Sequence, residues 1–209
     1  MSTDPQFVSD QRAFNERIIT SLDQFGIRYA VGGSVAAMAY SNAPRFTNDV
    51  DFMLEASDEM IALLVNEIEK WLVYVDPLET IFEFNLPTGM PISVLDGSLG
   101  TKADLFVVKS DGLDVSSMSR LRRKKLYVKP DFLAWFLAPE DVILYKLAYF
   151  KLSEGASQKH PKDIHNMLRA VASELDFAYL RHWASETAVL DLWQAIWDEY
   201  NIGPDASTA

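Results

Sequence analysis

The chain has 209 residues, 49% of them apolar, enough to bury a full core in one domain or in two small ones sharing an interface. It carries no cysteine, which excludes a disulfide framework, a thiolate metal site and a cysteine nucleophile. A net charge of −11 disfavours an undirected nucleic-acid coat but leaves room for a local basic groove.

The start shows no basic segment followed by an apolar stretch, and no run reaches the length of a bilayer span, so a cytoplasmic location without membrane contact is expected. His160, His165 and His182 crowd into one segment and do not suggest a distributed zinc site. Phe7, Phe14, Ile18, Leu22 and Phe25 recur at helical spacing and predict an amphipathic helix packed on a sheet, ended by Gly26. Arg28–Val31 then reads as a short strand, Gly32-Gly33-Ser34 as a turn, and Ser34–Tyr40 as a short apolar helix capped by Ser34.

After a polar loop, Asp49–Leu54 reads as a strand, and Ser57-Asp58-Glu59 caps a helix ending near Trp71. Further short strands are expected at Trp71–Val75, Thr80–Phe84, Ile92–Leu95 and Ala103–Val108. From Pro139-Glu140-Asp141 the pattern becomes helical, with three or four helices reaching Tyr200 and a tail from Gly203 expected to fray. A sheet domain of residues 1–130 and a helical region of residues 131–209 follow, divided near residue 130.

Asp49 and Asp51 lie two apart on the expected strand, so both carboxylates project from one face while Val50 and Phe52 turn into the core. Such a pair suits magnesium. An isolated Asp-x-Asp is more often a turn and a solvated strand residue, and the upstream residues change that reading. Gly32-Gly33-Ser34 follows a strand and opens a helix, where backbone N–H groups and the Ser34 hydroxyl can receive a phosphate oxygen. A phosphate cradle preceding a metal site is what phosphoryl transfer requires.

With Val31-Gly32-Gly33-Ser34-Val35-Ala36-Ala37 and Arg45-Phe46-Thr47-Asn48-Asp49-Val50-Asp51-Phe52, the sequence resembles the DNA polymerase beta-like nucleotidyltransferase superfamily. The resemblance implies an α+β fold, a mixed β-sheet flanked by helices and followed by a helical region. It also implies a third acid on a neighbouring strand, best assigned to Asp104 in Lys102–Val108, with Asp96 as competitor. Asp104 would complete the metal site and accept the proton of the attacking hydroxyl. Arg45 and Thr47, between the turn and the acid pair, are assigned to the nucleotide with Gly33 and Ser34.

Ala138–Leu147 and Lys159–Ile164 look like the AbiEii-type branch of that superfamily, best known as toxins. By that similarity Lys146 would contact the triphosphate and Asp163 would orient Lys146 or the acceptor. On its own, a lysine between Tyr145 and Leu147 either snorkels to solvent or points at an anion. Arg120–Lys125, the dense basic run, reads either as an RNA contact or as a solvated edge strand or helix face. Trp183, Trp193 and Trp197 are expected to pack helices.

The expected reaction is transfer of a nucleoside monophosphate from an NTP to a hydroxyl, with two magnesium ions. The acceptor is an RNA such as tRNA, a small molecule such as an aminoglycoside-type antibiotic, or a protein. A catalytically silent module that binds a nucleotide or a cognate antitoxin is the alternative.

Overall fold

The computed structural model describes residues 5–41, 43, 47–127 and 132–202. Helix α1 (Pro5–Gln24), strand β1 (Arg28–Val31), helix α2 (Gly33–Tyr40), strand β2 (Asp49–Glu55) and helix α3 (Asp58–Ile68) come first, then a 3-10 turn at Glu69–Trp71. Strand β3 (Tyr74–Val75) precedes two short helical turns, α4 (Leu78–Thr80) and α5 (Leu86–Thr88), joined by a π turn at Ile81–Asn85. Strands β4 (Ile92–Asp96) and β5 (Thr101–Val107), helix α6 (Gly112–Ser119) and strands β6 (Arg122–Tyr127) and β7 (Phe132–Phe136) follow. Helices α7 (Pro139–Leu152), α8 (Lys159–Val171), α9 (Phe177–Glu186) and α10 (Leu190–Ile202) complete the order.

Two compact units result, one of residues 1–32 and 46–136, the other of residues 33–45 and 137–209. The first is built on a seven-stranded mixed sheet in the order β3-β4-β5-β2-β1-β7-β6. Strand β2 runs antiparallel to β1 and parallel to β5, and β1 meets β7 in parallel at Val31 and Phe136. Period-two alternation decides which face is core. Val50, Phe52 and Leu54 of β2 are buried, as are Tyr29 and Val31 of β1, Ala103 and Leu105 of β5, and Ile92 and Val94 of β4. The registers place all of them on one face, and α1 packs against β1, β5 and α3. Ile18 and Leu22 of α1 and Ile61, Leu64, Val65 and Ile68 of α3 are fully buried, each worth about 2 kcal/mol of hydrophobic stabilisation. The Ser57 side chain caps α3 by accepting from the Met60 N–H.

Three stretches depart from the sequence expectation. Thr80–Phe84 is helical, despite a β-branched and aromatic composition that favours strands. Pro77 opens the helical stretch, Ile81 and Asn85 are buried one turn apart, and the Asn85 amide donates to the Asp76 carboxylate at 2.9 Å and the Pro91 carbonyl at 2.7 Å. Trp71 lies in the 3-10 turn, and Leu72 at φ +62° breaks the chain direction before β3, which is only two residues long. Strand β6, at the margin of the sheet, is the edge strand that was one reading of the basic run, whereas β7 beside it was not anticipated as a strand.

The second unit packs α7 against α2, α8 and α9, and α10 against α8 and α9. The Tyr40 hydroxyl donates to the Leu137 carbonyl at 2.8 Å, tying α2 to the entry of α7. Glu140 and Asp141 are buried in the first turn of α7, where the helix dipole favours negative charge. Glu140 accepts from the Asp176 N–H at 2.9 Å and Asp141 from the Tyr179 hydroxyl at 2.6 Å. Trp193 and Trp197 stack 5.8 Å apart with Phe177 edge-on to Trp197 at 4.8 Å, so they pack helices as expected. Among the described residues no helix is long and apolar enough to cross a membrane.

Candidate active site

Opposite the core face, the sheet carries a charged surface whose layout follows from register. Asp51 of β2 stands beside Asp104 of β5, which stands beside Ser93 of β4. One row along, Asp49 stands beside Lys102 and Lys102 beside Leu95. Neighbouring strands lie about 4.8 Å apart, so three carboxylates and one ammonium occupy two adjacent rows of a single face. Asp104 accepts from the Ser93 hydroxyl at 3.1 Å through Oδ1 and holds the Lys102 Nζ at 2.9 Å through Oδ2.

Burial alone lowers the affinity of Lys102 for its proton, but the hydrogen bond to Asp104 and the charges of Asp104, Asp49 and Asp51 outweigh it, and the lysine pKa is raised. Thus all three acids act on one cation. Asp96 stands opposite Thr101, on the other face by alternation, and its Oδ1 accepts from the Ser98 N–H at 3.0 Å, the Ser98 hydroxyl at 2.6 Å and the Leu99 N–H at 3.2 Å. Asp96 therefore shapes the β4–β5 turn, while Asp104 lies beside Asp51.

The start of β2 is held by short-range contacts. The Asp49 N–H donates to the Thr47 hydroxyl at 3.3 Å, and Gln11 donates to the Thr47 carbonyl at 2.8 Å. The Asn48 carbonyl accepts from the Thr101 hydroxyl at 2.9 Å and the Lys102 N–H at 3.0 Å, locking β2 to β5 just before the acids. The Gly32 N–H donates to the Asp51 carbonyl at 2.8 Å, which extends the β1–β2 pairing one residue past Val31. Gly33 follows at φ +55°, a left-handed conformation that favours glycine, and α2 begins there.

Gly33, Ser34, Lys146 and Asp163 belong to the second unit. Lys146 is buried on α7 and pairs with Asp163 of α8 at 2.8 Å, with 4% and 6% of the two side chains exposed. The anion that Lys146 meets is thus a protein carboxylate. Arg45 lies outside the described residues. Sequence reasoning missed Ser93 and the pairing of Lys102 with Asp104. Lys102 is two residues before Asp104, so alternation alone carried the signal for it; Ser93 carried none, since its place depends on the β4–β5 register.

Among the described residues no group of three or more His, Cys, Asp or Glu side chains stands assembled as a metal cage. Asp49, Asp51 and Asp104 nevertheless form an all-oxygen donor set on one face, the type a hard cation such as magnesium takes. Ser93 and Lys102 each engage one oxygen of Asp104, so a metal gathered by the three acids would share that carboxylate with them.

No family model matches the sequence, and no curated protein matches it. Solved structures do. The solution structure of the antibiotic-resistance factor ANT(2'')-Ia is similar with a TM-score of 0.60 at 14% identity, covering 90% of this chain and 98% of that one. The crystal structure of ANT(2'')-Ia in complex with adenylyl-2''-tobramycin gives a TM-score of 0.57 at 14% identity, covering 91% and 99%. An antigenic nucleotidyltransferase-like protein from Paracoccidioides brasiliensis gives 0.55 at 18% identity, covering 95% and 92%. With a seven-stranded mixed sheet flanked by helices, the chain has the α+β fold of these nucleotidyltransferase-type proteins.

Proposed function

We propose that this protein is a magnesium-dependent nucleotidyltransferase that moves a nucleoside monophosphate from an NTP to a hydroxyl acceptor. The observation that carries this reading is the pair of adjacent rows in which Asp49, Asp51 and Asp104 surround Lys102 on one sheet face. Like charges directly opposed across strands are destabilising, and such an arrangement is retained where it serves a site. The fold supports the same reading.

Asp49, Asp51 and Asp104 would hold magnesium, which when bound supplies the charge neutralisation that lets a triphosphate approach three carboxylates. Asp104 takes the proton of the acceptor hydroxyl, whose oxygen bonds to the alpha phosphorus as the bond to pyrophosphate breaks. The Gly33 backbone and Ser34, at the start of α2, would receive phosphate oxygens, and Arg45 is assigned to the nucleotide with them from the sequence. Thr47 fixes the entry of β2 and so the position of Asp49. Lys146, oriented by Asp163, would serve the triphosphate, a role that it takes by sharing or releasing that buried carboxylate. The AbiEii-type likeness of the α7 and α8 motifs favours an RNA acceptor and a cognate antitoxin as partner.

The test is incubation with each alpha-labelled NTP, magnesium and a fractionated cell extract, beside Asp49→Ala/Asp51→Ala. Metal-dependent label in one fraction, absent with the variant, is the expected result; equal labelling by the variant would remove these acids from the chemistry. The hold of Lys102 and Ser93 on Asp104 favours one second reading, a silent module that binds NTP without turnover. It predicts magnesium-dependent thermal stabilisation by NTP with no label transferred.

A further inference from the structure

Strand β6 closes one margin of the sheet, and five of the chain's 19 Lys and Arg residues, Arg120, Arg122, Arg123, Lys124 and Lys125, fall on it or just before it. Concentrating cations on one edge of a protein with net charge −11 creates a local field opposite to the overall one. The register adds what the run itself lacks. Arg123 stands opposite Trp135 of β7 and Lys125 opposite Leu133, and all four are exposed, Trp135 by 38% and Leu133 by 47%. The Arg123 guanidinium lies over the Trp135 ring, 4.9 Å from its centroid.

Alternation tells which face this is. Phe136 stands beside Val31, Val31 beside Phe52, and all three are buried on the core face. Trp135 and Arg123 are therefore on the opposite face, the one that carries Asp51 and Asp104. Strand β6 is three places from β2, about 15 Å at the usual strand spacing. The β6–β7 ribbon thus lies on the same face of the sheet as the three acids.

We propose that the outward face of the β6–β7 ribbon, built from Arg123, Lys125, Trp135 and Leu133, docks single-stranded RNA. Cations alone would suit any polyanion; an exposed indole beside a guanidinium selects one with flat rings, because bases stack on Trp and Arg planes while phosphates meet the flanking charges. This docking face presupposes the transfer reaction proposed above, whose acceptor class it names.

The test measures anisotropy of a labelled mixed-sequence single-stranded RNA 20-mer with the full chain, without NTP, over a salt series. Wild type is expected to bind with affinity falling steeply with salt. Arg123→Gln/Lys125→Gln should bind about tenfold more weakly with the slope of log affinity against log salt reduced by about 1.4. Trp135→Ala should weaken binding about tenfold and leave that slope unchanged. Should Trp135→Ala melt early, Trp135→Leu, which keeps the apolar bulk and removes the ring, takes its place. The proposal is overturned if wild type fails to bind, if these variants bind like wild type, or if poly-glutamate competes as well as RNA, which would point to an acidic protein. RNA binding without label transfer from any NTP would sink the transfer reading alone, and transfer without RNA binding would sink the docking face alone.

Discussion

Asp51 and Asp104 occupy directly opposed positions on the parallel strands β2 and β5, so two carboxylates of like charge share one cross-strand pair. Such pairs cost roughly 0.2–1 kcal/mol relative to neutral ones. Asp51→Asn relieves that repulsion with no change in shape. Nucleotidyl transfer is expected to fall at least about a hundredfold, as for loss of a principal charged group at a reacting centre, while thermal unfolding shows stability unchanged or raised by up to about 1 kcal/mol. Retained transfer would show that Asp51 plays no part in the chemistry.

Lys102 holds Asp104 at 2.9 Å and would compete with a metal bound by the acids. In Lys102→Met, binding of manganese, followed as a spectroscopic substitute for magnesium, should tighten about fivefold, the scale of a partly exposed ion pair. Weaker binding would mean that Lys102 organises the acids instead of competing for them.

The Lys146–Asp163 pair is buried on both sides, so removing one partner strands a charge away from water. Asp163→Ala should cost about 3–5 kcal/mol in urea unfolding, whereas Lys146→Met/Asp163→Leu should recover most of that loss. A double variant as unstable as the single one would indicate that packing, not the charge, sets the cost.

Tyr29 is buried beneath the sheet, and burial, aided by the charge of Asp23, pushes its pKa up to about 12 against a partial offset from a backbone hydrogen bond at Trp135 and the charge of Arg123. A raised pKa means that the folded state resists ionisation while the unfolded chain ionises near 10.0, so this contribution is complete below pH 10 and is lost as pH climbs to about 12. The loss should be about 2 kcal/mol. Lys102, whose pKa is also raised, loses its contribution in the same alkaline range. The comparison that isolates the tyrosine is therefore Tyr29→Phe, whose unfolding free energy should fall less between pH 10 and 12 than that of wild type. Parallel curves would exclude Tyr29 as the source.

Asp49 and Asp51 were legible because a strand repeats every two residues, so apolar Val50 and Phe52 between them announced which way the acids face. Ser57 before Asp58-Glu59 announced a helix start in the same local way. Asp104 required knowledge of which strands pair, across 53 residues of chain, and only the family resemblance supplied a reason to look for it. Asp96 and Asp104 were indistinguishable until the β4–β5 register assigned them to opposite faces. Thr80–Phe84 misled because composition favoured a strand while burial of Ile81 and Asn85 on one side favoured a helix. Trp135 could not be joined to the basic run from sequence, since they meet only when β6 and β7 fold onto each other.

The two margins of the sheet have a consequence for how copies of this chain treat one another. An unpaired strand edge is a template on which a second chain can add itself, and long flat apolar edges invite aggregation. Here one margin, β3, is two residues long, and the other, β6, combines a dense row of like charges with a register irregularity between Lys125 and Tyr127. Neither offers a straight neutral row of donors and acceptors. Two such edges brought together would set arginines and lysines against arginines and lysines, so the sheet is guarded against extending itself from molecule to molecule.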